Sequence, residues 1–170
     1  MLWLCLLLAS VVSAKVDPPN YDFSVDTLAA FFPGVEITSL EGKYGKPEVL
    51  SNEGETQLLR WQVAQPRYVF PVLVQAQGGK IVDMHARLPP YFLHNIFHQS
   101  MINRWGKQAV YKRVDEEAFY QWTVEGRTLN YGASCTITCF PVWLGVVPVT
   151  LPEGFKTIRE RLRVPASQPR

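Results

Sequence analysis

The stretch "SMINRWGKQAVYKRVDEEAFYQWTV", residues 100–124, repeats in outline one met 61 residues earlier, "SLEGKYGKPEVLSNEGETQLLRWQV", residues 39–63. At that offset seven pairs are identical: Ser39/Ser100, Gly45/Gly106, Lys46/Lys107, Val49/Val110, Glu55/Glu116, Trp61/Trp122 and Val63/Val124. Leu40/Met101, Lys43/Arg104, Tyr44/Trp105 and Leu58/Phe119 are close in character. Both stretches also carry the same local signals in the same order. Ile37, Leu40 and Tyr44, matched by His98, Met101 and Trp105, recur at helix spacing. Lys43 or Arg104 suits the negative end of the helix dipole, and Gly45 or Gly106 can take the left-handed conformation that closes it. A polar loop is expected next. Leu59, Trp61 and Val63 then alternate with Leu58, Arg60 and Gln62, as Tyr120, Trp122 and Val124 do with Phe119, Gln121 and Thr123. That period of two predicts a strand with its tryptophan on the apolar face.

Working outward, "RYVFPVLVQAQGGKIVDMHARL" reads as a hairpin turning at Gly78 and Gly79, and "FYQWTVEGRTLNY" can turn at Glu125 and Gly126. Pro71, Pro141 and Pro148 fall inside strand-like runs and point to edges or bulges. A further helix is expected before each capped one: "SVDTLAAFF" with Ser24 as N-cap, and "PYFLHNIF" with proline at its start. A short final helix, "EGFKTIRERLRV", puts Phe155, Ile158 and Leu162 on one face. The expected class is therefore α+β. A tandem duplication of a helix-helix-antiparallel β unit would form a shared or continuous antiparallel sheet with helices on one face, which buries more apolar surface than either unit alone. The expected divisions are 1–14 as a signal peptide, 15–92 and 93–151 as the two units, and 152–170 as a basic C-terminal helix and tail.

A chain of 170 residues that is 47% apolar can bury a sizeable core. Its net charge of +2 gives no basis for nucleic-acid binding. "MLWLCLLLASVVSA" is an apolar run closing on small residues, with Val12 and Ala14 spaced as signal peptidase requires, although no Lys or Arg precedes it. An exported protein, periplasmic or secreted, is expected. Export leaves Cys135 and Cys139 of "SCTITCF" in an oxidising compartment. In a regular strand their Cα atoms would stand about 13 Å apart, beyond bridging distance. Either a turn brings them together as a disulfide, or two thiols lie on one strand face.

A short helix, Gly45-Lys46-Pro47, a polar loop, a strand bearing Trp61 and a hairpin together resemble the unit of the beta-lactamase inhibitory protein fold, which carries it in tandem. The small outer-membrane assembly lipoproteins of the SmpA/OmlA family are similar to a single copy. The resemblance covers about residues 22–150 and implies a cell-envelope, inhibitor-like or scaffolding role. The chain departs from it in lacking a lipobox cysteine and in having Gln108 where the first copy has Pro47. No functional residue carries over from it.

His94 and His98 stand four apart on one helix face, a spacing that can hold a metal. A zincin would place Glu after the first histidine, whereas this chain has Asn95. Cys135 or Cys139 with one of these histidines would make a nucleophile and base, but no glycine-flanked elbow or oxyanion donor accompanies them. "CFPVWLGVVPV" is the most apolar stretch after residue 14, and reads either as a buried strand or as a partner-accepting groove anchored by Trp143. Trp61, Trp122, Tyr68 and Tyr120 pose the same choice between core and concave recognition surface. Arg159, Arg161 and Arg163 form a basic face suited to solvent, to an acidic partner or to anionic lipid headgroups. The expected function is an exported, non-catalytic protein-binding module without a cofactor, acting on another envelope or extracellular protein. The alternative is a thiol- or metal-dependent envelope enzyme built on Cys135, Cys139, His94 and His98.

Overall fold

The structure, a computed structural model, describes residues 25–65 and 68–162; the leader-like run 1–14, Ser24 and Arg163 lie outside them. Eight antiparallel strands form one sheet: β1 (Glu48–Glu53), β2 (Thr56–Gln65), β3 (Tyr68–Gln77), β4 (Lys80–Arg87), β5 (Val110–Val114), β6 (Glu117–Val124), β7 (Arg127–Cys135) and β8 (Cys139–Pro148). Their spatial order is β1-β2-β3-β4-β8-β7-β6-β5. The first four strands form one meander and the last four a second, joined where Met84–Arg87 of β4 pairs with Trp143–Val146 of β8. Four helices are short: α1 (Val25–Ala29), α2 (Ile37–Tyr44), α3 (His94–Trp105) and α4 (Ile158–Leu162).

The α+β tandem expectation is corrected to a mostly β protein, with half of the described residues in strands and about a quarter in helices. The helix-helix-antiparallel β unit does not occur twice. "SVDTLAAFF" yields only the five residues of α1, because residues 30–32 turn into Pro33 and Gly34, the latter at φ 95°. "PYFLHNIF" divides at Leu93, whose φ of 36° leaves Pro90–Phe92 as a single 3-10 turn and passes the rest to α3. The polar segments expected as loops are the edge strands β1 and β5. Their burial patterns, almost wholly exposed, show why no alternation marked them.

What the two echoing stretches share is local. Gly45 (φ 77°, ψ −179°) and Gly106 (φ 77°, ψ −171°) end α2 and α3 in a region of backbone space open essentially to glycine, rather than in the left-handed helical well. Each carbonyl thereby turns toward a strand. The Trp61 indole N–H donates to Gly45 O at 2.9 Å, and the Trp122 indole N–H donates to Gly106 O at 2.9 Å.

Helices cover one sheet face, and the core lies beneath them. One row across it reads Leu59, Val74, Met84, Val146, Leu129, Trp122; the next reads Trp61, Val72, Ala86, Leu144, Tyr131, Tyr120. All twelve side chains are buried, and at roughly 1.5–3 kcal/mol for each large apolar side chain these rows dominate the favourable energy. Pro71 stands one residue beyond the β3–β4 pairing, where no ladder hydrogen bond is lost, and Pro141 stands at a bulge between β7 and β8. The two edges differ: β1 carries a bulge at Leu50, while β5 pairs regularly with β6 along its length.

Candidate functional site

Strand alternation that buries one face presents the intervening residues on the other. A row across this open face reads Glu48, Arg60, Leu73, His85, Gly145, Asn130, Gln121, Val110. No helix of the core layer covers it. Instead the segment after β8 returns across it, and α4 lies there as a strap. Arg60, Pro71, Leu73, His85, Arg87, Val142, Trp143 and Leu162 of the strap line a groove of about 350 Å³. Its floor is aliphatic and aromatic, its rim is cationic, and no carboxylate lines it. Arg60 is held by Glu48 on β1. Among the described residues no carboxylate pairs with Arg87, which is exposed.

Trp143 is the centre of this face. Its ring stacks on His85 with centroids 5.8 Å apart, and the Arg159 guanidinium lies 3.5 Å above its centroid, a cation–π geometry. The indole occupies the space over Gly132, its cross-strand partner on β7, so a β-carbon there would overlap the indole nitrogen. Gly132→Ala is expected to drive Trp143 out of this seat and to cost about 1–3 kcal/mol by overpacking. A denaturation midpoint equal to that of the unaltered chain would show that the indole is not held there.

The strap is fixed by polar groups seldom found buried on a sheet face. Gln75 and Asp83 are 0% and 2% exposed. Gln75 Nε2 donates to Lys156 O at 2.9 Å and to Asp83 Oδ2 at 3.2 Å, and the Ile158 amide donates to the same Asp83 oxygen. Ile158 is 1% exposed, and Arg161 Nη1 pairs with Glu53 at 3.2 Å. Burial, only partly offset by these hydrogen bonds, pushes the Asp83 carboxyl up to about 6. Burial and, secondarily, the Arg159 charge hold the His85 imidazole down to about 4.

Beneath α3 a second polar cluster forms. His94 Nδ1 lies 2.8 Å from the Tyr131 hydroxyl, its Nε2 lies 3.5 Å from that of Tyr120, and the His94 and His98 rings stack 5.3 Å apart. Burial lowers both imidazoles, His94 to about 4 with a contribution from His98, and raises the Tyr131 hydroxyl. Among the described residues no three His, Cys, Asp or Glu side chains group as metal ligands. Cys135 and Cys139 are joined as a disulfide across the β7–β8 turn, their Cα atoms 4.0 Å apart. Thr136–Thr138 is a hairpin loop rather than the middle of a strand.

The structure places Trp61, Trp122 and Tyr120 in the core, at 1%, 2% and 7% exposure. Tyr68 is half-buried against Phe92. Trp143 alone of the five aromatic candidates lies on the open face, with Arg159 upon it and Arg161 tied to Glu53. Gln75, Asp83, Leu73 and Arg87 were not singled out in the sequence. Alternation within "VLVQAQ" and "IVDMHA" sets Gln75 opposite the apolar face, but nothing local announces that a segment about 75 residues further on covers both polar groups.

No helix among the described residues is long and apolar enough to cross a membrane. No family profile matches the chain, and no curated protein matches it in sequence. Among solved structures, the chain is similar to a DUF4309 family protein (YjgB) from Bacillus subtilis subsp. subtilis str. 168, at 11% identity and a TM-score of 0.43, over 69% of this chain and 80% of that one. The resemblance to the beta-lactamase inhibitory protein and SmpA/OmlA families is corrected accordingly. The comparisons return neither family, and a Gly-Lys-Pro turn followed by a tryptophan strand is too short a pattern to specify either.

Proposed function

We propose that this chain is an exported, non-catalytic protein-binding module, a scaffold or inhibitor, that receives its partner on the open sheet face. One observation carries the reading: the groove beside the strap joins an apolar floor of Pro71, Leu73, Val142 and Trp143 to a rim bearing Arg60 and the exposed Arg87. Buried aromatic and arginine anchors dominate binding energy at protein interfaces, and here both stand ready on a rigid eight-stranded support. The apolar run over residues 1–14 and the Cys135–Cys139 bridge support an oxidising, exported setting.

The test is affinity capture from a native extract with three full-length forms: the unaltered chain, Leu73→Asp and Arg87→Glu. Both positions lie outside the buried core, so the variants are expected to keep their near-UV circular dichroism. A partner retained by the unaltered chain is expected to fall at least tenfold in both. Undiminished capture by both folded variants would remove the groove from the interaction.

A further inference from the structure

We propose that Gln75, Asp83, Trp143 and Glu53 form a peptide-binding site on the open sheet face. The site is filled in cis by the chain's own segment around Lys156–Leu162, and it takes in trans a partner segment of the same chemistry, an aliphatic anchor followed by arginine. The inference rests on the protein-binding reading above and names the chemistry of the partner segment that enters the strap's seat, with its arginine at Glu53 and away from the Arg60 and Arg87 rim. Three observations carry it. The first is that the buried polar groups address backbone atoms: Gln75 Nε2 donates to Lys156 O, and the Ile158 amide donates to Asp83 Oδ2. Such contacts hold the entry to α4 by its backbone, whatever its side chains, while pockets select the anchors. The second is side-chain fit: Arg161 of the segment pairs with Glu53, and Arg159 lies on the Trp143 ring.

The third observation is that the cis segment fits incompletely. Gln75 Oε1 is buried and accepts no hydrogen bond from any described residue, and an unmet buried acceptor destabilises the docked state. Leu162, the last residue described, is 52% exposed at the mouth of the groove rather than seated in it. A partner segment that also offered a donor to Gln75 Oε1 and carried its apolar side chain deeper would outcompete the strap, despite the strap's high effective concentration.

The experiment uses the full chain and a fluorescein-labelled peptide of residues 152–162, followed by fluorescence polarisation. In the unaltered protein the strap competes, and binding is expected to be weak. In Ile158→Asp, whose anchor is spoiled while the sheet site is intact, the peptide is expected to bind at least tenfold more tightly. That gain is expected to vanish when the peptide carries the same Ile158→Asp change, or when Gln75→Ala is added to the protein. Hydrogen exchange over residues 156–162 reports release of the strap. A released strap with no peptide binding overturns the proposal, and so does a strap that stays protected in Ile158→Asp. Should that variant fail to fold, the unaltered chain serves with millimolar unlabelled peptide. Faster exchange over 156–162 supports the site, and unchanged exchange overturns it. Loss of capture in Leu73→Asp without trans binding of the peptide would leave the protein-binding reading standing and this inference failed. The converse result would separate them the other way.

Discussion

Trp122→Ala is expected to destabilise the chain by about 3–5 kcal/mol, and Trp61→Ala by a similar amount, the range for deleting a fully buried large aromatic side chain. Each indole fills the core between a helix and the sheet and also holds the end of that helix, through Gly106 O in one case and Gly45 O in the other. Trp→Phe at either position keeps part of the packing but removes the donor and some of the buried ring, for about 1–3 kcal/mol, the lost hydrogen bond contributing about 1 kcal/mol because the glycine carbonyl can turn to water. Urea denaturation of the four variants checks both contributions. If Trp122→Ala and Trp122→Phe lost the same small amount, the indole would not be a core element. Substitutions at these tryptophans test folding, and a partner-capture loss in them says nothing of an interface.

Acidification produces the second large effect, and its size is set by opposing titrations. His85 and His94 are held down to about 4, so the stability that comes from keeping them neutral is fully present above about pH 6.5 and is lost as pH falls toward 4. For His85 the full loss is about 3 kcal/mol at about 1.4 kcal/mol per unit, and for the half-exposed His94 about half that after screening. His98 acts in the same direction. Asp83, pushed up to about 6, runs the other way: its contribution is lost as pH rises through 6, and about 2–3 kcal/mol is regained as pH falls from there toward 4. The unaltered chain is therefore expected to lose only about 1–2 kcal/mol between pH 7 and 4.5, since the Asp83 gain offsets most of the imidazole loss. Asp83→Asn removes the compensating titration, and the loss over the same interval is expected to grow to about 4 kcal/mol. Denaturant midpoints at the two pH values, for both proteins, measure the difference. Equal slopes with pH would mean that Asp83 is not buried beneath the strap.

How far the fold could be read from the residues depended on where each signal originates. The strand around Trp61, the turns at Gly78-Gly79 and Glu125-Gly126, and the ends of α2 and α3 at glycine are local matters of periodicity and backbone freedom, and each was legible. β1 and β5 were not, because an exposed edge strand is under no pressure to alternate. The extra helices failed for a related reason: "SVDTLAAFF" has the composition of a helix, but tertiary closure at Pro33-Gly34 stops it after one turn. At the candidate site, Trp143 was visible as an aromatic in an apolar run. That Gly132 and Arg159 meet it, and that Gln75 and Asp83 lie beneath the same strap, was not, since these contacts arise only through strand register and the return of the C-terminal segment.

The unlike edges of the sheet bear on self-assembly. Among the described residues nothing pairs with the outer side of β1 or of β5, and an open edge is a template on which copies can add edge to edge. The bulge at Leu50 spoils the match on the β1 side. The β5 side is regular and carries Val114 and Tyr111, 69% and 52% exposed, as ready contacts. Lys112 occupies the middle of that strand, so two β5 edges meeting antiparallel about their centres would set lysine against lysine. One ammonium group at this position thus sets like charge against like charge when two copies pair through β5.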